Sequence, residues 1–218
     1  MLSVVIPALN AGTGLADCLL ALRGADEIVL VDGGSTDDTI AVAQAFGATV
    51  VRTPRGRGPQ LIAGADAARG DWLLFLHADT RLEKGWREAA SRHIADGPDE
   101  AACFRFHLDD DAWQARLIER GVAARVRWLS LPYGDQGLLI SRALYESVGG
   151  FRALPLMEDV DIVRRIGRRR LRVLEAAATT SAARWRRDGW LRRSSRNILC
   201  LSLYLLGVSP ERIARLYA

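Results

Sequence analysis

The segment Trp72–Arg81, WLLFLHADTR, decides the fold. Four apolar residues, Leu73 to Leu76, stop abruptly at His77, Ala78 and Asp79. An unbroken apolar run of this length reads as a strand buried on both faces, the pattern of a parallel sheet covered by helices. Ligands in such sheets lie beyond the carboxyl ends of the strands, so Asp79 stands where a ligand would sit. A carboxylate there can hold a divalent cation and, through it, a diphosphate. The competing reading has Asp79 and Thr80 capping a helix that follows.

Upstream of this segment, apolar runs alternate with helical patterns. Leu2 to Ile6 predicts a strand ended by Pro7, and Asn10 to Gly14 a turn before a helix carrying Leu15, Cys18, Leu19 and Leu22. Glu27 to Val31 predicts a second strand, Asp32 to Ser35 a turn, and Thr36 to Phe46 a helix capped by Ser35 or Thr36, with Asp37 and Asp38 in its first turn. Ala48 to Val51 predicts a third strand, followed by the loop Arg52 to Gly58 and a helix from Pro59 to Ala68. Such alternation implies right-handed crossovers and an open, mainly parallel α/β sheet with helices on both faces.

Downstream, a helix is expected from Glu83 to Ala95, then a half-exposed or edge strand from Ala102 to Leu108, where Arg105 and His107 alternate with apolar residues. Asp109 to Asp111 read as a solvated helix start rather than a metal site, and a helix follows from Ala112 to Leu129. After YGDQG comes a short strand, Leu138 to Ser141; LMEDVD then opens a helix that ends in the basic run Arg164 to Arg172. Thr179 to Trp185 holds a further short strand, and helices are expected over Asp188 to Leu206 and Pro210 to Tyr217. The first of these, with Leu191, Ile198, Leu201 and Leu205, is read as packing on the core, docking on a partner subunit or a membrane face being the alternative.

A chain of 218 residues fits one domain, residues 1–218, without metal or disulfide staples. No apolar stretch approaches the roughly 20 residues of a spanning helix. The opening MLSVVIPALN has no basic region or cleavage site, so no signal peptide is expected. Cys18, Cys103 and Cys200 are odd in number and widely spaced, which suits reduced thiols and a cytoplasmic setting. The net charge of +4 would tolerate anionic ligands or membrane surfaces, but Lys84 is the only lysine and the arginine abundance is discounted as a compositional habit.

Four further groups could carry chemistry. Asp32, in VDGGSTD, can accept hydrogen bonds from a base edge or ribose, while Gly33 and Gly34 let backbone approach a ligand. Arg55 and Arg57 lie on a glycine loop suited to phosphate. Glu158 and Asp159 stand at a helix start, where a carboxylate can take a proton from an attacking hydroxyl. Arg184 and Trp185 could close over a ligand. Each group alone has a plainer reading, as a turn, a surface loop, a cap or a core ring.

Taken in order, PALN, VDGGSTD, the GRG loop, LLFLHADT, GDQG, MEDVD and ARW resemble the family 2 glycosyltransferases of the GT-A (Rossmann-like) fold over nearly the whole chain. GDQG, PLMED and the short length resemble a small bacterial subgroup labelled arsenosugar-biosynthesis glycosyltransferases. The resemblance implies that Pro7, Asn10, Asp32 and Gly33 hold the nucleoside part of a donor, with Arg57 near its base or pyrophosphate. Asp79 matches the last acid of the DxD motif, which meets Mg²⁺ or Mn²⁺. Asp159 matches the general base of inverting members, Glu158 orients the acceptor, Asp135 and Gln136 lie along the sugar or acceptor pocket, and Arg184 and Trp185 match an arginine–tryptophan motif. His77 replaces the first acid of DxD, which removes one charge near the ribose and cation.

The implied function is metal-dependent, inverting transfer of a sugar from a UDP- or GDP-sugar to a small-molecule or lipid-linked acceptor, with no nucleic acid and no transmembrane segment. Residues 1–100 would form the nucleotide-binding half and 101–218 the acceptor half and C-terminal helices, the protein being cytoplasmic or peripheral to the inner face of the membrane. Two rival functions stand beside it. A sugar-phosphate nucleotidyltransferase would carry a basic glycine loop after strand one, where Pro7 to Gly14 has no basic residue. A non-catalytic RNA- or anionic-surface-binding protein would use the arginines from Arg164 to Arg196, which lack a recognisable module.

Overall fold

The computed structural model describes residues 1–217. Its strands are β1 (Leu2–Ala8), β2 (Glu27–Asp32), β3 (Thr49–Arg52), β4 (Trp72–Phe75), β5 (Thr80–Leu82), β6 (Ala101–Leu108), β7 (Leu138–Ser141) and β8 (Leu171–Thr180). Its α-helices are α1 (Gly12–Ala21), α2 (Thr39–Ala45), α3 (Arg57–Ala67), α4 (Trp86–Asp96), α5 (Trp113–Leu129), α6 (Arg142–Ser147), α7 (Glu158–Ile166), α8 (Ala183–Asp188), α9 (Trp190–Leu205) and α10 (Pro210–Tyr217). The strands form one sheet in the order β3-β2-β1-β4-β7-β6-β8-β5. Pairings β1–β2, β1–β4, β2–β3 and β6–β8 are parallel, whereas β7 runs antiparallel to β4 and β6, and β5 antiparallel to β8.

Period-two alternation explains the two layers of helices. Leu2, Val4, Ile6, Trp72 and Leu74 pack with Leu15 and Leu19 of α1 and Ala90 of α4 on one face. Val5, Leu73 and Phe75 pack with Leu61 of α3, Tyr145 of α6 and Ile162 of α7 on the other. Leu73 and Leu74 have no exposed surface, so each contributes roughly 2 kcal/mol of apolar burial. Gly64 of α3 lets that helix sit directly on β1 and β2, because a Cβ there would lie 2.3 Å from Val5 Cγ1.

Several expectations are corrected. Thr80 opens a strand, and its hydroxyl meets that of Thr180 on β8 at 3.4 Å. The helix after it begins only at Trp86, so Asp79 and Thr80 do not cap it. Helix α2 starts at Thr39 with no side-chain cap, while Asp37 precedes it and accepts from the Gly12 amide at 3.0 Å. Helix α7 stops at Gly167 (φ 84°), and most of the expected basic helical run gives way to a 3-10 turn, Arg168–Arg170, and the ten-residue strand β8. Arg184 and Trp185 follow a strand, β8, as expected, but lie within the short helix α8 rather than ahead of the helix.

Strand β6 lies inside the sheet, the edges being β3 and β5. Its second half is nevertheless partly exposed, because Arg105 to Leu108 pair with β8 alone in the register. In α9 only Leu201 of the four predicted core positions is buried; Leu191, Ile198 and Leu205 face solvent. Helix α6 was not foreseen at all.

Candidate active site

The carboxyl ends of β1 and β2 are joined by a side chain that the motif reading missed. Gln60 of α3 is buried, and its Nε2 donates to Ala8 O at 2.8 Å and Val31 O at 2.7 Å. Its signal was a polar residue at the head of the buried stripe Gln60, Leu61, Gly64 and Ala65. A Cβ on Gly33 would come within 3.1 Å of the Gln60 amide, which explains a small residue after Asp32. Asp32 is buried and accepts the amide of Gly34 at 3.1 Å and that of Ser35 at 3.1 Å. Asn10 adopts φ 50°, and its Oδ1 accepts from the Thr36 amide at 2.9 Å, fastening the first turn to the second.

In front of these turns lies a cleft of about 780 Å³ bordered by Pro7, Asn10, Arg57, His77, Asp79 and Arg184. An adjoining hollow of about 140 Å³ shares Arg57, His77, Asp79 and Arg184 and adds Asp135, Glu158, Asp159 and Trp185. Ten of the predicted residues, Arg55 included, therefore border this space, contributed by both halves of the chain. Asp32, Gly33 and Gln136 do not line it among the described residues. Asp32 and Gly33 shape the turn behind it, and Gln136 is buried with its Nε2 donating to Phe104 O at 3.0 Å.

Met157 enters α7 with φ 66°, a conformation costly for a side chain of its type, and so turns Glu158 and Asp159 toward the hollow. Asp159 Oδ2 accepts the Gly134 amide at 2.8 Å, and Oδ1 accepts the Val160 amide at 2.8 Å. Glu158 is buried and lies 3.0 Å from Arg57 Nε as an ion pair without hydrogen-bond alignment. Burial pushes the Glu158 carboxyl above its ordinary range, Arg57 opposes this and Asp159 reinforces it. The third acid of the same turn, Asp161, is taken up by Arg165 at 2.6 Å and Arg152 at 3.3 Å.

Burial likewise pushes Asp135 up to about 6, with Asp159 adding to the shift and Arg125 and Arg57 opposing it. Its Oδ1 is buried without a partner. His77 is held well below the ordinary imidazole value, first by burial and then by the charges of Arg57 and Arg184. It is therefore neutral at pH 7. Perturbed acids and bases gathered in one hollow are the electrostatic mark of a reactive site.

The residues fit a hard divalent cation that keeps most of its other ligands from substrate and water. Asp79 is half-buried beside the cleft, with His77 Nδ1 3.9 Å from its Oδ1. No group of three or more His, Cys, Asp or Glu suited to a metal occurs among the described residues, so Asp79 would supply one carboxylate only. Arg57 and Arg184 bring positive charge close to His77, the neighbour of Asp79. Several of the C-terminal arginines are engaged with acids: Arg186 pairs with Asp110, and Arg187, Arg193 and Arg196 with Asp188.

The chain is 40% identical over 93 residues to the PGL/p-HBAD biosynthesis glycosyltransferase of Mycobacterium tuberculosis, covering 38% of this chain and 36% of that protein. It is 28% identical over 166 residues to the undecaprenyl-phosphate 4-deoxy-4-formamido-L-arabinose transferase of Pseudomonas aeruginosa, covering 68% of this chain and 49% of that protein. The chain thus spans between about a third and a half of the length of these relatives. In three dimensions it matches glucosyl-3-phosphoglycerate synthase from M. tuberculosis, crystallised with Mn²⁺, UDP and glucosyl-3-phosphoglycerate, with a TM-score of 0.56 at 22% identity over 83% of this chain and 70% of that one. The fold is that of the GT-A glycosyltransferases. Residues 3–155, from the first strand to the loop that precedes α7, match the model of the glycosyl transferase family 2, and the chain belongs to that family.

Proposed function

We propose that this protein is an inverting, metal-dependent glycosyltransferase that moves a sugar from a UDP- or GDP-sugar to an acceptor hydroxyl. The observation that carries this reading is the shared border of Arg57, Asp79 and Asp159 on one hollow. The nucleoside would lie against Pro7 and Asn10, over the turns shaped by Asp32, Gly33 and Gln60. Asp79 would hold Mg²⁺ or Mn²⁺, whose charge would neutralise the diphosphate. Arg57 and Arg184 add two guanidinium groups on the same side, suited to phosphate oxygens.

Asp159 takes the proton from the acceptor hydroxyl. The freed oxygen pair then forms a bond to the anomeric carbon as the bond from that carbon to the diphosphate breaks. Attack from the face opposite the leaving group inverts that centre. Two backbone N–H donors fix the Asp159 carboxylate in orientation, which favours proton transfer along one direction. Glu158, Asp135 and Trp185 would position the acceptor, with Gln136 bracing the turn that carries Asp135.

The Mn²⁺ and UDP in the structurally similar synthase support the donor and metal assignments, and the undecaprenyl-phosphate named for the Pseudomonas relative supports a lipid-linked acceptor beside a small-molecule one. GDQG and PLMED argue for the arsenosugar-biosynthesis type within the family. Residues 1–218 would act as one catalytic domain in the cytoplasm, peripheral to the membrane where the acceptor is lipid-linked; no helix of the described residues is long and apolar enough to cross a membrane. The test is thermal unfolding with UDP or GDP, each with and without Mn²⁺. One diphosphate at 100 times its Kd is expected to stabilise the fold by about 2.7 kcal/mol. Asp79→Ala is expected to remove the Mn²⁺-dependent part; an unchanged Mn²⁺ effect in that variant would take the metal away from Asp79.

A further inference from the structure

A second space of about 780 Å³ runs between α5 and α9, on the far side of Tyr133 and Asp135 from Asp159. Its walls include Trp113, Leu117 and Val122 of α5 and Leu191 and Ile198 of α9, with Trp185 at the inner end. Leu117, Leu191 and Ile198 are 56%, 83% and 65% exposed, so large aliphatic side chains stand in water around one trough. A contiguous apolar patch of this kind marks a binding surface rather than chance exposure.

The trough does not stand apart from the chemistry. Tyr133, Asp135, Trp185 and Asn197 border both the trough and the hollow that contains Asp159. An occupant must therefore be apolar along its length and polar at the end that reaches Asp135. Charge agrees with this polarity: Asp135 stands at the inner end, and Arg125, stacked 3.5 Å from the Tyr133 ring centroid, lies beside it, while the outer walls are mainly aliphatic and aromatic, with Gln114 and Arg192 as polar members of the lining.

We propose that this trough holds the hydrocarbon chain of an amphiphilic acceptor whose hydroxyl head lies beside Asp135 and Asp159. The assignment rests on the reading of Asp159 as the base, and it names the acceptor class: a hydroxylated head on a long alkyl or prenyl chain. The apolar chain supplies binding energy remote from the reacting hydroxyl, which sets that hydroxyl in place.

The experiment uses a series of n-alkyl β-glucosides from four to twelve carbons, below their micelle-forming concentrations, with a bromine on the chain end to quench the fluorescence of Trp113, Trp185 and Trp190. Affinity is expected to rise about fourfold with each buried methylene until the trough is filled. Ile198→Asp and Leu117→Asp, both at exposed positions that leave the core untouched, are expected to flatten that dependence. Affinity that ignores chain length, or quenching unchanged in both variants, would overturn the proposal. So would a dimer that buries the trough and dissociates in Ile198→Asp, since the occupant would then be a second copy. Stabilisation by UDP is read separately on the same protein: a UDP response without chain-length dependence contradicts the trough assignment alone, and chain-length dependence without any nucleotide response supports the trough and overturns the donor reading.

Discussion

The Gly134 amide donates to Asp159 Oδ2 across 2.8 Å, joining the turn after Tyr133 to the first turn of α7. A Cβ on Gly134 would lie 2.5 Å from Arg57 Nη2 and 2.6 Å from His77 Nε2. The backbone at 134 is therefore pressed against two groups of the cleft while it holds a third. Gly134→Ala is expected to destabilise the fold by about 1–3 kcal/mol, as overpacking does, and to lower turnover more than donor binding. Urea unfolding combined with separate kcat and KM measurements checks this, and a variant with normal kcat would show that the contact does not govern Asp159.

Arg57 and Glu158 form a pair in which the acid is buried and the base about one-third exposed, with side-chain exposures of 4% and 35%. Removing the arginine strands a buried carboxylate, a change that costs roughly 3–5 kcal/mol when both partners are buried and less here because solvent screens the arginine. Arg57→Ala is expected to lose about 2 kcal/mol at pH 8. The loss should shrink at pH 5, because the carboxyl of Glu158, already raised, is then protonated and needs no partner. Chemical denaturation at the two pH values measures the difference; an equal loss at both would place the ion pair outside the energetics.

Asp135 gives a pH signature of the opposite kind from a paired surface acid. Its folded value of about 6 lies above the ordinary carboxylate value of 3.8, so the unfolded chain ionises first. Its contribution to stability is complete below pH 4, falls as pH rises from about 4 to 6, and is lost above that. Asp135→Asn is expected to flatten this window and, at pH 7.5, to be more stable than the unaltered protein by on the order of 1–2 kcal/mol. Parallel stability curves for the two proteins from pH 4 to 7.5 would contradict the shift.

The sheet was largely legible because its signals are local. Leu73 to Leu76 form an apolar run, and β1, β2 and β4 end within two residues of Pro7, Asp32 and His77, although β1 continues one residue past Pro7 to Ala8. What escaped depended on partners distant in sequence. The start of strand β8 looked helical because Arg168 to Arg172 continue the charged pattern of α7, and only Gly167 and pairing with β6 reveal the break. Gln60 carries no motif; its role comes from reaching the carbonyls of Ala8 and Val31, 52 and 29 residues away. Asp32 was expected in the cleft, yet the two backbone amides it accepts hold it behind the turn. The trough between α5 and α9 was invisible as such, since Leu191 and Ile198 have the spacing of a core-facing stripe and only their neighbours decide what they face.

The central claim is that Asp159 deprotonates the acceptor in a space where Arg57 and Asp79 hold the donor. The most direct measurement compares Asp159→Asn with the unaltered protein in sugar transfer from the nucleotide-sugar whose diphosphate stabilises the fold, with the UDP- or GDP-induced shift in Tm recorded alongside. Turnover is expected to fall about 10²–10⁴-fold with the nucleotide-induced shift retained. Turnover within a few fold of the unaltered protein would contradict the claim.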